Sequence, residues 1–450
     1  MAGTQGKLMK LKNIGRAALA TALSLGIGLG TIACSRDYTV AYVYAISKAN
    51  ASIAAFAVDY QSGALTQLNG SPFANSSQTN GVPLSIVAAP SGKFIYIANN
   101  ASQTISVYAV GTDGKLYGQS TPNTIGSYPT SMTIDSTGSF LYVTDTLQPT
   151  YTKTSPGKGE LDVFPIDQTS GNLGTPISVP VGNNPAGVAV SAPYCATTSS
   201  LNSMNPTCTG GNGAGNYSVF VYVLDQENYI NPLNTSNPST PSSAAPAVLG
   251  FSSNMTNGAL TPLSGTTCST LPSAVCTGYS AGVGPSAIGV EPTSTYVYVT
   301  DAVANEVYGY QIANNSSGNL TGLISSPTST GQYPVALTID PRGKFLLTAN
   351  YNSGTISSYT INIANGSLGG VAGTAAATVD PGPTCITIEP ALGVYVFTSN
   401  VTAGTLSGEE MNASTGALSG IANTPFPTAN LPSCLVAVAN GSHARSIVNP

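Results

Sequence analysis

The chain has 450 residues, enough for a large buried core, yet only 7 % of them are charged, and Gly, Ser, Thr and Asn abound. So little charge is common in exported β-rich proteins and low for the cytoplasm, while periodic runs of Val, Ile, Leu and Tyr exclude a disordered chain. Without the N-terminal segment that carries Lys7, Lys10, Lys12 and Arg16, nine basic groups face 18 acidic ones, which argues against a nucleic-acid partner.

Residues 1–33 read as a lipoprotein-type signal peptide: a basic start (KLMKLKNIGR), an apolar run (AALATALSLGIGLG), then TIAC. The apolar run is short for a membrane span, so the chain is expected to meet the membrane only through a lipid on Cys34. Thr31 stands where such processing sites prefer Leu. Ser35 after the cysteine favours the outer membrane over inner-membrane retention. Residues 34–37 are then a tether, and 38–450 the folded part.

One stretch sets the pattern for that part. Pro334 to Gly370 reads as four short strands: VALTID, a PRG turn, KFLLTAN, an NSG turn, TISSYTI, and a G-x-L strand. Four antiparallel strands of this length make one propeller blade. Prolines open the innermost strand at Pro83, Pro129, Pro185, Pro285, Pro334, Pro383 and Pro432. G-x-L marks the outermost at Gly63, Gly114, Gly171, Gly258, Gly318, Gly366 and Gly416. Both markers count to seven, at a period near 49 residues. The fold class is therefore all-β: a seven-bladed β-propeller of four-stranded antiparallel blades. AYVYAIS, ASIAAFAVD and ALTQL at the N-terminus lack an inner strand, and LVAVA after Pro432 supplies one, so the C-terminal strand closes the ring. The fourth blade carries insertions near 192–217, 226–246 and 265–284.

Cys34 aside, six cysteines remain, an even number in an exported chain. Cys195 and Cys208 bracket one insertion and Cys268 and Cys276 lie in another, so local pairs are expected. Cys385 and Cys434 each follow an anchor proline by two residues, where a bridge would staple the ring at its seam.

The repeats align one small hydrogen-bonding residue at the end of each second strand: Ser47, Asn99, Asp145, Asp225, Asp301, Asn350 and Ser399. Such side chains cap turns. Asp145, Asp225 and Asp301 are also the candidate acids for catalysis and, with Glu227, for a Ca²⁺ ion, though no cofactor is required. Asp135, Glu291, Asp340 and Glu389 end inner strands on the opposite face, as turn residues. Glu409 occupies the register of Phe56, Tyr108, Phe164, Phe251, Tyr310 and Tyr359, and a one-residue insertion there is expected to turn it out to solvent. Arg342, Lys344 and Lys93 read as solvated turn charges.

PSGKFIYIANN (90–100), PRGKFLLTANYNSGTIS (341–357) and ALTQLNGSPF (64–73) resemble the bacterial lactonase-type seven-bladed β-propellers, relatives of 6-phosphogluconolactonase and of a muconate-lactonising enzyme. The resemblance covers about 38–440. It implies a channel-lining His with Arg and acidic partners. The one His of this chain, His443, follows the closing strand, and no Arg lies between Arg36 and Arg342. The expectation is therefore a monomeric, envelope-anchored propeller that binds a small ligand or an envelope protein at its loop face without catalysis. The alternative is a lactone hydrolase using Asp145, Asp225 and Asp301; an acid and a cation together at the channel mouth would favour it.

Overall fold

The computed structural model describes residues 38–75, 82–119, 123–125, 127–152, 157–195, 217–227, 244–268, 276–313, 317–373, 375–428 and 431–441. The leader and Cys34, Cys208, His443 and most of the three fourth-blade insertions lie outside them. The described chain forms seven antiparallel sheets, each with a four-strand path, and contains no helix. In the first blade the C-terminal strand Pro432–Ala439 pairs with Thr39–Ser47, matching Tyr42 to Val438 and Ile46 to Cys434. The ring is therefore closed by both ends of the chain, as the strand count implied.

Every inner strand carries its proline at a bulge. Register shifts fall between Pro83 and Ser85, Pro129 and Ser131, and at the matching place in the other five blades. A proline cannot donate to the ladder, and a bulge is where a strand tolerates that loss. Six blades split their outermost strand into two short pieces on the same neighbour. In the first blade Leu65–Gln67 and Phe73–Ala74 both pair with Ser52–Asp59. The third blade is the exception, with Ile177–Pro180 as its outer strand.

The core lies between blades. Seven apolar clusters fill the seven interfaces, built from the alternating residues of the second and third strands. The G-x-L glycines belong to these interfaces. At Gly114 the backbone has φ +74°, and an added Cβ would sit 2.4 Å from the ring of Tyr42 in the preceding blade. The Gly114 carbonyl accepts a bond from the buried Tyr44 hydroxyl at 2.6 Å. Tyr96, Tyr222 and Tyr298 repeat that contact with Gly171, Gly318 and Gly366. The marker thus serves a tight turn and a close approach between blades together. An axial cavity of about 1160 Å³ runs between inner strands, lined by Val87, Thr133, Val188, Ile288, Leu337 and Ile386 among others.

Candidate functional site

The ring of small polar residues falls on the face where inner strands begin, since Asn99, Asp145, Asp225, Asp301 and Asn350 each stand opposite an anchor proline. In the seventh blade the residue opposite Pro383 is Asn400, and Ser399 stands opposite Cys385. The expected Ser399 is therefore one residue early. Removing that slip also removes the insertion proposed before Glu409, which faces Val396 in the register of the other blades' aromatics. Glu409 is buried, at 4 % exposure, and its neighbour Glu410 is the exposed one. Burial pushes the Glu409 carboxyl up to about 7.

Three blades show what this ring position does when it is structural. The Asn99 amide Nδ2 donates to Thr104 Oγ1 and Ser106 Oγ at 3.3 and 3.0 Å. Asn350 does the same with Thr355 and Ser357, and Asn400 with Thr405 and Ser407. Asp301 reaches the same end by accepting four backbone amides, from Val283, Gly284, Val303 and Ala304, at 2.6–3.1 Å. It caps turns, and both of its oxygens are engaged by backbone amides.

Asp225 is different. Its Oδ1 accepts from the backbone amides of Asn184 and Glu227, but its Oδ2 is buried and has no partner. Gly182 makes room for that oxygen: a Cβ there would lie 1.2 Å from it. Glu227, two residues on, takes a left-handed backbone of φ +47°. Its Oε2 accepts from Asn183 Nδ2 at 2.7 Å, and its Oε1 is a buried orphan. The cation is Lys158, which comes from the third blade. Burial lowers its pKa, and the fields of Glu227 and Asp225 pull it back up. Asp225 is raised well above the carboxylate range, by burial first and then by Glu227. Two carboxylates on one turn therefore lie buried in the field of an ammonium from the neighbouring blade. The Gly159 amide, which donates to Gly182 O at 2.8 Å, ties the segments that carry them.

Asp145 belongs to a second cluster. It lies on the strand Phe140–Leu147, directly across from Glu160, with Asp162 diagonal to it on the strand Glu160–Pro165. One ligand oxygen of each lies within 4.8 Å of the others, and all three side chains are buried. Both Asp145 oxygens lack partners. Ser178 donates its hydroxyl to Asp162. Burial and Asp162 push Glu160 up to about 8, and burial with both neighbours raises Asp145.

The expected set Asp145, Asp225, Glu227 and Asp301 is thus divided among three environments. Lys158, Glu160, Asp162 and Asn183 are the residues that sequence reasoning missed. Among the turn acids, Asp135, Glu291, Asp340 and Glu389 accept backbone amides of their own turns. Arg342 is no free turn charge: it pairs with Asp340 at 2.7 Å and donates to Gly393 O. Cys268 is bonded to Cys276 and Cys385 to Cys434, the latter across the closing seam. The acidic clusters do not line the axial cavity.

A family model described as "Lactonase, 7-bladed beta-propeller" matches residues 26–189 and 244–388, more than half of the chain. The 6-phosphogluconolactonase of Serratia proteamaculans (strain 568) is 25 % identical over 158 residues, which span 34 % of this chain and 43 % of that enzyme. The periplasmic gluconolactonase PpgL of Pseudomonas aeruginosa superposes with a TM-score of 0.59 at 15 % identity, over 89 % of this chain and 99 % of its own. A Bacteroides fragilis structure described as a candidate 6-phosphogluconolactonase gives 0.60 at 16 %, over 90 % and 99 %. Identities this low speak to the fold. With the seven closed blades and the family match over both halves of the ring, the chain belongs to the lactonase family of seven-bladed β-propellers.

Proposed function

We propose that this protein hydrolyses a lactone, with Asp225, Glu227 and Lys158 as the reacting set. The observation that carries the reading is a buried carboxylate pair, each member with an orphaned oxygen, under the field of a buried ammonium. Opening a lactone needs a base for water, a cation or donor for the oxyanion, and an acid for the leaving alkoxide. Burial first, and then the neighbouring Glu227 carboxylate, raise Asp225, which therefore keeps its proton and is the acid. Glu227, held by Asn183, is then the base that takes a proton from water as the water oxygen attacks the carbonyl carbon. Lys158 would face the developing oxyanion. The ring C–O bond breaks, the alkoxide takes the Asp225 proton, and a hydroxy acid leaves. Lys158 would fill the cationic role for which no central Arg is available, and the relatives named as gluconolactonases make sugar lactones the substrates to try first.

Assays of the purified protein against sugar and aryl lactones test this. Turnover above the spontaneous rate, lost in both Lys158→Met and Asp225→Asn, is expected. Binding without turnover would favour the second reading, a non-catalytic ligand-binding propeller. The burial of Asp225, Glu227 and Lys158, none more than 2 % exposed, speaks for that second reading. We also propose that the molecule works outside the cytoplasm as a lipid-anchored monomer. Palmitate labelling that disappears in Cys34→Ala would support the anchor, and unlabelled wild type would sink it.

A further inference from the structure

The third blade departs from three of its sister blades at one register, and the fifth, with Asp301 opposite Glu306, differs there too. In the second, sixth and seventh blades the ring residue and its two same-face neighbours on the next strand are Asn, Thr and Ser. These triads, Asn99–Thr104–Ser106, Asn350–Thr355–Ser357 and Asn400–Thr405–Ser407, are neutral, with the Asn amide donating to both hydroxyls. The strand pairing places Asp145, Glu160 and Asp162 in the same three positions. Three acceptors replace a donor and two hydroxyls. Like charges facing across a ladder destabilise it, and a buried carboxylate without a partner costs far more than an exposed one. Ser178 supplies a hydroxyl to Asp162, while both oxygens of the fully buried Asp145 are unpartnered. Among the described residues, no donor reaches the Asp145 carboxyl in the frame that elsewhere holds an amide.

We infer that Asp145, Glu160 and Asp162 hold a divalent cation, with Ca²⁺ the ion that takes an all-protein oxygen set where Mg²⁺ keeps several waters. The three ligand oxygens lie within 4.8 Å of one another. Three carboxylates offer up to six oxygens, the lower bound of a Ca²⁺ shell. The cation would lock the second and third strands of the blade that delivers Lys158, so its role is to hold that segment. The inference does not rest on lactone hydrolysis.

The test uses the full-length protein stripped with EDTA and titrated with CaCl₂ alone, read by calorimetry and by thermal unfolding. Binding at one site with Kd below about 1 mM, and a Tm that rises with Ca²⁺, is expected. The triple variant Asp145→Asn/Glu160→Thr/Asp162→Ser installs the triad that three other blades already hold. It should melt above wild type in EDTA at pH 8, and bind Ca²⁺ at least about a hundredfold more weakly. Should it fail to fold, Glu160→Gln alone must still weaken binding. No heat and no Tm change with millimolar CaCl₂ would overturn the site. So would a Ca²⁺ response that survives in the triple variant, or a wild-type Tm in EDTA that rises on acidification with no response to Ca²⁺, the behaviour of a proton-sharing cluster.

Discussion

Glu409 gives a stability test with a defined pH window. Burial raises its carboxyl from 4.5 to about 7, so the folded state holds a proton that the unfolded state has already lost. Stability is therefore greatest below the unfolded value, falls between pH 4.5 and 7, and is flat above. The loss amounts to about 3 kcal/mol at roughly 1.4 kcal/mol per pH unit, an upper bound because water reaching the carboxylate would lessen it. Glu409→Gln keeps the shape and removes the proton. Its advantage over wild type should be near zero at pH 4.5 and grow to about 2–3 kcal/mol at pH 8. Comparing the two proteins cancels other raised acids such as Glu389 and Glu160. Urea unfolding followed by tyrosine fluorescence suits the assay, since the chain has no Trp and 23 Tyr. A pH-independent difference, or a variant weaker than wild type at pH 8, would refute the burial argument.

Other expectations concern the ring. Gly114→Ala should cost about 2–4 kcal/mol, because a left-handed backbone and a clash with the Tyr42 ring act together; a Tm within a degree of wild type would contradict the blade-contact role. Cys385→Ser/Cys434→Ser releases a loop of 49 residues, which the chain-entropy relation values at about 4 kcal/mol. Dithiothreitol should lower the urea midpoint of wild type by more than it lowers that of the variant, which keeps only the short Cys268–Cys276 loop to lose. Asp301→Asn should lower stability, since its carboxylate accepts four amides, and leave lactone turnover of the surviving protein unchanged.

The blade count was readable because prolines, glycine turns and strand alternation are local signals repeated seven times. Closure by the C-terminal strand followed from a missing strand at one end and a surplus one at the other. The site was less readable because it depends on strand register across an irregular connection. In the second, fifth and sixth blades the third strand begins five residues after the ring residue, as at Asn99 and Thr104. In the third blade Glu160 follows Asp145 by fifteen, so Lys158, Glu160 and Asp162 fell out of alignment. Transferring the Asn–Thr–Ser register across that longer connection would have exposed Glu160 and Asp162. Ser399 shows the same weakness: SN at the strand end allows either residue as the cap, and only the pairing with Pro383 selects Asn400.

The most direct measurement is the initial rate of sugar-lactone opening by wild type, Lys158→Met and Asp301→Asn, assayed side by side. The proposed site requires Lys158→Met to lose at least about a hundredfold in kcat/KM, the scale of one lost oxyanion donor, while Asp301→Asn keeps the wild-type value. Equal rates in wild type and Lys158→Met, or a wild type no faster than buffer, would contradict the assignment of Asp225, Glu227 and Lys158 as a hydrolytic site.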